Sequence, residues 1–168
     1  MKTAIRLLFA AALVSAQVIV SSSTSSVVGN FTCTGTDDHV QIQAAIDLVN
    51  SLGGGRVQLT DGIFNVNAQI NITSQLELSG ESQNGTIVRL VSNARPWKVG
   101  SRFSPGSLRG FRVLDLAVSN ITFDGNRASN TGVGDAVLGK HGFDCLYCSN
   151  VVLLNVAMIN FPGSPYFT

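Results

Sequence analysis

The densest run of reactive side chains in the sequence is Lys140-His141-Gly142-Phe143-Asp144, which sets a cation, an imidazole and a carboxylate within five positions. An imidazole that titrates near neutral pH can carry a proton at His141, with the cation Lys140 and the carboxylate Asp144 close by in sequence. The same residues also suit a polar turn. A second cluster, Asp124-Gly125-Asn126-Arg127, sets a carboxylate and a guanidinium around turn chemistry, so Asp124 and Arg127 either bind a polar ligand or close a corner by a salt bridge. Arg95, Lys98, Arg102, Arg109 and Arg112 interleave with Trp97, Phe103 and Phe111, a mixture that suits an acidic sugar chain or a solvated insertion. His39 sits at the start of a helix, as an exposed or capping residue. Asp135 and Asp144 are too sparse for a calcium loop, which needs six to eight converging oxygens.

Composition narrows the partners. Of the 168 residues 45% are hydrophobic and only 12% charged, and the net charge is +1. A typical soluble domain carries about 25% charged residues, so this is neither a charge-rich disordered chain nor one that holds nucleic acid by bulk charge. Lys2 and Arg6, the apolar run Leu7–Val14 and the small residues Val14-Ser15-Ala16 have the form of a secretory signal over residues 1–16, with Gln17 opening the mature chain. The apolar run is far short of the roughly 20 residues that span a bilayer, so no membrane association is expected after cleavage. In a secreted protein the three cysteines Cys33, Cys145 and Cys148 leave one thiol unpaired or paired between chains, and Cys145 and Cys148, at C-x-x-C spacing, are candidates for a disulfide or packing role. Asn30, Asn71, Asn84 and Asn120 each open an N-x-T sequon and are candidate glycosylation sites.

Something must position these groups, and the patterning points to a coil of short strands. Residues 17–30 contain the Ser/Thr-rich stretch Ser21–Ser26 and read as a flexible leader. Asp37 and Asp38 then open a helix whose Ile42, Ala45, Ile46, Val49 and Leu52 share one face, and Gly53-Gly54-Gly55 ends it. From Arg56 onward short apolar runs alternate with turn residues. Three runs open alike, Ser74-Gln75-Leu76, Ser119-Asn120-Ile121 and Ser149-Asn150-Val151, as stacked copies of one unit would. A solenoid needs a terminal cap, which the helix supplies. Asp61-Gly62, as a hairpin turn, supports an antiparallel sandwich instead. The preferred reading is an all-β solenoid over residues 31–168, with the N-terminal helix as its cap.

Thr36-Asp37-Asp38, Ile42-Gln43-Ala44-Ala45-Ile46-Asp47, Gly53-Gly54-Gly55-Arg56-Val57, Asp61-Gly62-Ile63-Phe64 and Leu76-Glu77-Leu78-Ser79-Gly80-Glu81 together resemble the opening of the right-handed parallel β-helix proteins of the pectate-lyase-like superfamily. Within it, Ile121-Thr122-Phe123-Asp124-Gly125-Asn126-Arg127 is similar to the mannuronan C5-epimerases. The resemblance implies a right-handed parallel β-helix of a few rungs, secreted to the extracellular space or cell wall, with an acidic polysaccharide such as alginate as partner and calcium as a candidate cofactor. It implies isomerase chemistry at C5 of a uronate, with a polysaccharide lyase as a related alternative. A non-catalytic carbohydrate-binding or wall-associated module is the alternative from a different class. The family's Tyr-Gly-Phe-Asp-Pro-His signature is only partly matched: this chain reads Gly163-Ser164-Pro165-Tyr166-Phe167-Thr168. Tyr166 falls near the family's tyrosine, making Tyr166 or His141 the candidate base and Lys140 or Arg127 the candidate carboxylate partner. The expected state of the chain is an incomplete one, either an N-terminal portion of a longer enzyme or the product of a truncated gene.

Overall fold

The computed structural model describes residues 16–91, 108–129, 143–161 and 166–167, with backbone placement alone at Arg109, Asp144, Leu146, Tyr166 and Phe167. In chain order the elements are β1 (Gln17–Ser21), β2 (Phe31–Thr32), α1 (His39–Ser51), β3 (Gly55–Leu59), β4 (Gly62–Val66), β5 (Ile70–Asn71), β6 (Leu76–Gly80), β7 (Thr86–Leu90), β8 (Leu108–Phe111), β9 (Leu114–Asp124), β10 (Phe143–Leu146), β11 (Ser149–Ile159) and β12 (Tyr166–Phe167). A 3₁₀ turn, Arg127–Ser129, follows β9.

Every strand pairing is parallel. One sheet runs β2-β1-β3-β6-β9-β7-β4 with β11 beside β9, and a second runs β12-β10-β8-β5. The first sheet folds over because β9 bends at Asn120, where φ is 55°. Leu116–Ser119 pair with β6, and Thr122–Asp124 pair with β7. Strand β11 copies this bend at Asn155, also at φ 55°. The sheet is thereby curled around one apolar interior.

Asp61-Gly62 is not a hairpin turn. β3 and β4 flank it, yet they pair with β6 and β7 respectively and not with each other. The pair forms a corner between two layers, and Gly62 is required there: its φ is 133° and a Cβ would lie 2.1 Å from Ser22 Oγ. The region expected to be a flexible leader is also corrected. Gln17–Ser21 forms β1, aligned with Arg56–Leu59 of β3, and buries Val18 and Val20. The Ser/Thr run hid a period-2 apolar pair beside it.

In-register parallel pairing puts like residues in rows, because partners point to the same side of the sheet. Val18, Val57, Leu78, Val118 and Leu153 form one such row, and Phe64, Val88, Phe123 and Met158 form another. All but Leu153 and Met158 are buried, and those two pack against the core from β11. Burying each such side chain contributes about 1.5–3 kcal/mol. α1 lays Ile42, Ala45, Ile46 and Val49 against the same core, and it contacts β1 and β3.

Asp38 opens α1 but does not cap it through its side chain. Its buried carboxylate instead accepts from the backbone N–H groups of Thr34 (3.2 Å), Gly35 (2.9 Å) and Asn65 (2.8 Å), tying the segment before the helix to β4.

The repeated Ser-Asn phrase marks a kind of corner, not one position in the stack. Gln75, Asp115 and Asn150 precede the aligned residues Leu76, Leu116 and Val151, and all three are left-handed, with φ of 58°, 58° and 54°. Asn120 and Asn155 form the next corner along. Amide ladders join successive layers: Asn150 Nδ2 donates to Asp115 Oδ1 (2.8 Å) and Asn155 Nδ2 to Asn120 Oδ1 (2.9 Å), each across 35 residues. Asn and Asp tolerate this conformation best among residues with a side chain, which explains their recurrence.

Candidate functional site

Asp124 ends β9, and its carboxylate is almost fully buried. Oδ2 pairs with Arg89 Nε at 2.9 Å, while Oδ1 accepts from Asn126 N (2.9 Å) and Asn160 Nδ2 (2.9 Å). Burial pushes the carboxyl pKa up, but hydrogen bonds from Asn160, Asn126 and Arg89, with the Arg89 charge, outweigh it and hold the group below its ordinary 3.8. The partner in the corner salt bridge is thus Arg89 of β7, not Arg127. Arg127 lies exposed in the 3₁₀ turn and makes no ion pair among the described residues. Asp124 joins β7, β9 and the end of β11, and its oxygens face protein donors. Sequence reading missed Arg89 and Asn160, because their nearness to Asp124 comes from stacking across more than thirty residues.

The outer face of the second sheet gathers other candidates. Ile70, Leu108, Phe143 and Tyr166 share one register row, and the first three have buried side chains. The neighbouring row is Asn71, Arg109, Asp144 and Phe167, with Asn71 exposed. Asp144 therefore sits one strand from Arg109, about 4.8 Å across the ladder. Tyr166 takes a position in the row that is otherwise buried. Lys140 and His141 lie outside the described residues, as do Asp135, Arg95, Lys98, Arg102, Trp97 and Phe103. His39 is half-buried and its Nδ1 has no hydrogen-bond partner among the described residues.

Phe111 and Arg112 do not lie on a loop insertion. Phe111 ends β8 and Arg112 turns the corner after it. Tyr147, which sequence reading passed over, turns the matching corner after β10. Its ring meets Phe111 edge to face, with centroids 5.9 Å apart and planes at 87°, and Arg112 Cζ lies 5.3 Å from the Phe111 centroid. Both rings are exposed, Phe111 at 56% and Tyr147 at 79%. The register Phe111↔Leu146 brings the two corners together, so only knowledge of the stack could have found the pair.

Cys145 and Cys148 bracket Tyr147 and are joined in a disulfide, with Cα atoms 5.7 Å apart. Cys33 is a buried free thiol. Among the sequons, Asn30, Asn71 and Asn84 are exposed, while Asn120 is half-buried in its ladder. Among the described residues no three His, Cys, Asp or Glu side chains come together to hold a metal. No helix among the described residues is long and apolar enough to cross a membrane.

Comparison with known proteins bears on what this arrangement serves. No protein-family model matches the chain. It is 31% identical over 121 residues to alginate lyase 7 of Azotobacter vinelandii, covering 65% of this chain and 14% of that protein. It is 32% identical over 101 residues to the mannuronan C5-epimerase AlgE6 of the same organism, covering 56% of this chain and 11% of that protein. The chain thus spans less than a sixth of the length of these curated relatives. Among solved structures, the AlgE6 A-module superposes with a TM-score of 0.59 at 26% identity, over 76% of this chain and 35% of the module. The AlgE4 A-module gives 0.57 at 21% identity, a likeness of fold. The chain's relatives are mannuronan C5-epimerase and alginate lyase modules, as its motifs indicated, and their fold supports a parallel β-helix for this chain.

Proposed function

We propose that this chain is a secreted, alginate-directed β-helix module of the mannuronan C5-epimerase kind, with polymannuronate as its substrate class. The observation that carries the reading is the joint likeness, in sequence and in fold, to the AlgE6 A-module. α1 closes one end of a right-handed parallel β-helix of a few rungs, and residues 1–16 are the export signal. The outer row of β5, β8, β10 and β12 supports an acidic-polysaccharide site, because it sets Arg109 beside Asp144 on neighbouring strands. A cation there offsets the uronate carboxylate, which lowers the cost of removing the C5 proton. His141 and Lys140 precede β10 directly in sequence, and they remain the candidates for proton transfer and carboxylate neutralisation. Reprotonation on the opposite face gives epimerisation, while departure of the 4-linked oxygen gives lyase products.

A second reading, a binding module without turnover, is favoured by one observation: Asp124 is committed to protein donors. Incubation of the full chain with polymannuronate, with and without calcium, followed by proton NMR of the anomeric region, separates the readings. New guluronate signals or unsaturated ends support catalysis. Binding without either supports the module reading, and absence of binding rejects both.

A further inference from the structure

The corner formed by Phe111, Arg112 and Tyr147 has a composition that turn chemistry does not explain. Arg112 and Tyr147 are both left-handed, with φ of 54° and 57°. At the other stacked corners this conformation falls to Gln75, Asp115 and Asn150, or to Asn120 and Asn155. A residue other than Gly, Asn or Asp in that region costs about 1–2 kcal/mol relative to right-handed backbone, a cost that Gln75 shares, and such strain collects at functional positions. Two large residues are nonetheless held there, one above the other.

Their surroundings make a prearranged surface. The Cys145–Cys148 disulfide closes the chain on either side of Tyr147, and Cys145 itself is buried. Arg112 occupies one side of the Phe111 ring, and Tyr147 stands nearly perpendicular to that ring with most of its surface open. Arg112 makes no ion pair among the described residues, where its guanidinium meets the Phe111 ring. A guanidinium restrained over a ring loses little further freedom on meeting a carboxylate, which it can bind in a two-pronged fashion. Arg109 stands two residues before Phe111 on β8, so the corner lies at the end of that strand of the second sheet.

We propose that Phe111, Arg112 and Tyr147 form a uronate-binding subsite at the end of this row. The Tyr147 ring packs against the C–H face of a pyranose, and Arg112 takes that sugar's carboxylate. This rests on the alginate reading above and goes beyond it, naming the residues that hold the chain away from the reacting sugar. The ligand is a linear uronate oligosaccharide, distinguished from a neutral one by Arg112.

The test is isothermal titration of the full chain with an oligomannuronate and, in parallel, with a neutral oligomannoside of equal length. Tyr147→Ala is expected to weaken oligomannuronate binding up to roughly tenfold, the scale of one aromatic contact, while Tyr147→Phe retains most of the affinity. Arg112→Gln is expected to weaken it about tenfold or more and to reduce the preference over the neutral sugar, with Arg112→Lys intermediate. Circular dichroism confirms that each variant is folded; Tyr147→Phe and Arg112→Lys keep the test open should a truncation unfold. If the unaltered chain binds oligomannuronate and none of these variants changes its affinity, the subsite is overturned and the alginate reading stands. If the unaltered chain does not bind, the alginate reading itself fails, and the subsite with it. If Tyr147→Ala alters self-association in sedimentation but not sugar affinity, the corner is a protein interface and the proposal is wrong.

Discussion

Replacing Asp124 by Ala removes the acceptor for three donors at one corner: Arg89 Nε, Asn126 N and Asn160 Nδ2, all at 2.9 Å. Hydrogen bonds to a charged group contribute about 1.5–3 kcal/mol each, but these three share one carboxylate and do not add. Arg89 is 37% exposed and returns to water when its partner is lost, so its share is at the low end. The loss from the corner is then about 2–4 kcal/mol, with Asp124→Asn costing less because its amide oxygen keeps one acceptor. With a urea dependence of about 2 kcal/mol per molar, the unfolding midpoint drops by roughly 1–2 M. The pH dependence has a definite sign. The folded carboxyl has its pKa depressed below 3.8, so its contribution is present above that value and is lost as pH falls through the folded pKa. Urea unfolding of the full chain and of Asp124→Ala, at pH 7 and at a series of pH values below 4, should therefore converge under acid. A change in stability smaller than about 0.5 kcal/mol at pH 7 would refute the reasoning, since that is the scale of an ordinary surface substitution. So would a loss of sugar affinity with stability intact, which would make Asp124 a ligand-binding group.

Other outcomes follow from the same geometry. Burial, reinforced by the Asp38 carboxylate, pushes the Cys33 thiol from 9.0 up to about 12, so a thiol reagent should label it only after unfolding. The neutral thiol also favours the folded state most below pH 9, and that contribution declines as pH rises from 9.0 towards about 12; comparison with Cys33→Ser unfolding curves measures it. Gly80→Ala would put a Cβ 2.1 Å from the Asn120 carbonyl oxygen and 2.7 Å from Thr86 Cβ. It should destabilise by at least about 2 kcal/mol in the same unfolding assay. In a glycosylating secretory host, peptide mass analysis should find glycans at the exposed Asn30, Asn71 and Asn84, and none at Asn120, which is half-buried at a stacked corner.

What could be read from the residues, and what could not, divides along chain distance. The helix face Ile42–Val49 and the apolar runs of β3, β4, β6 and β7 are local patterns, and the structure contains them within a residue or two. β9 and β11 are each continuous through a corner, at the left-handed Asn120 and Asn155, which breaks the apolar alternation without ending the strand. β1 was obscured by the serines that follow it. β8, β10 and β12 have two to four residues each, too few for periodicity to register. The Asp-Gly-Asn-Arg motif was visible, but the choice of Arg89 over Arg127 as its ion partner depends on which layers stack. The Phe111–Tyr147 pair is hidden for the same reason.

The central claim is that an acidic polysaccharide meets the outer face of the second sheet. Backbone amide shifts of the ¹⁵N-labelled full chain, followed while oligomannuronate is added, test it most directly. The account predicts saturable shifts concentrated at Asn71, Arg109, Phe111, Arg112, Asp144 and Tyr147, absent with a neutral oligomannoside. Shifts confined to the face that carries Arg56 and Glu77, or no saturable shifts at all, would contradict it.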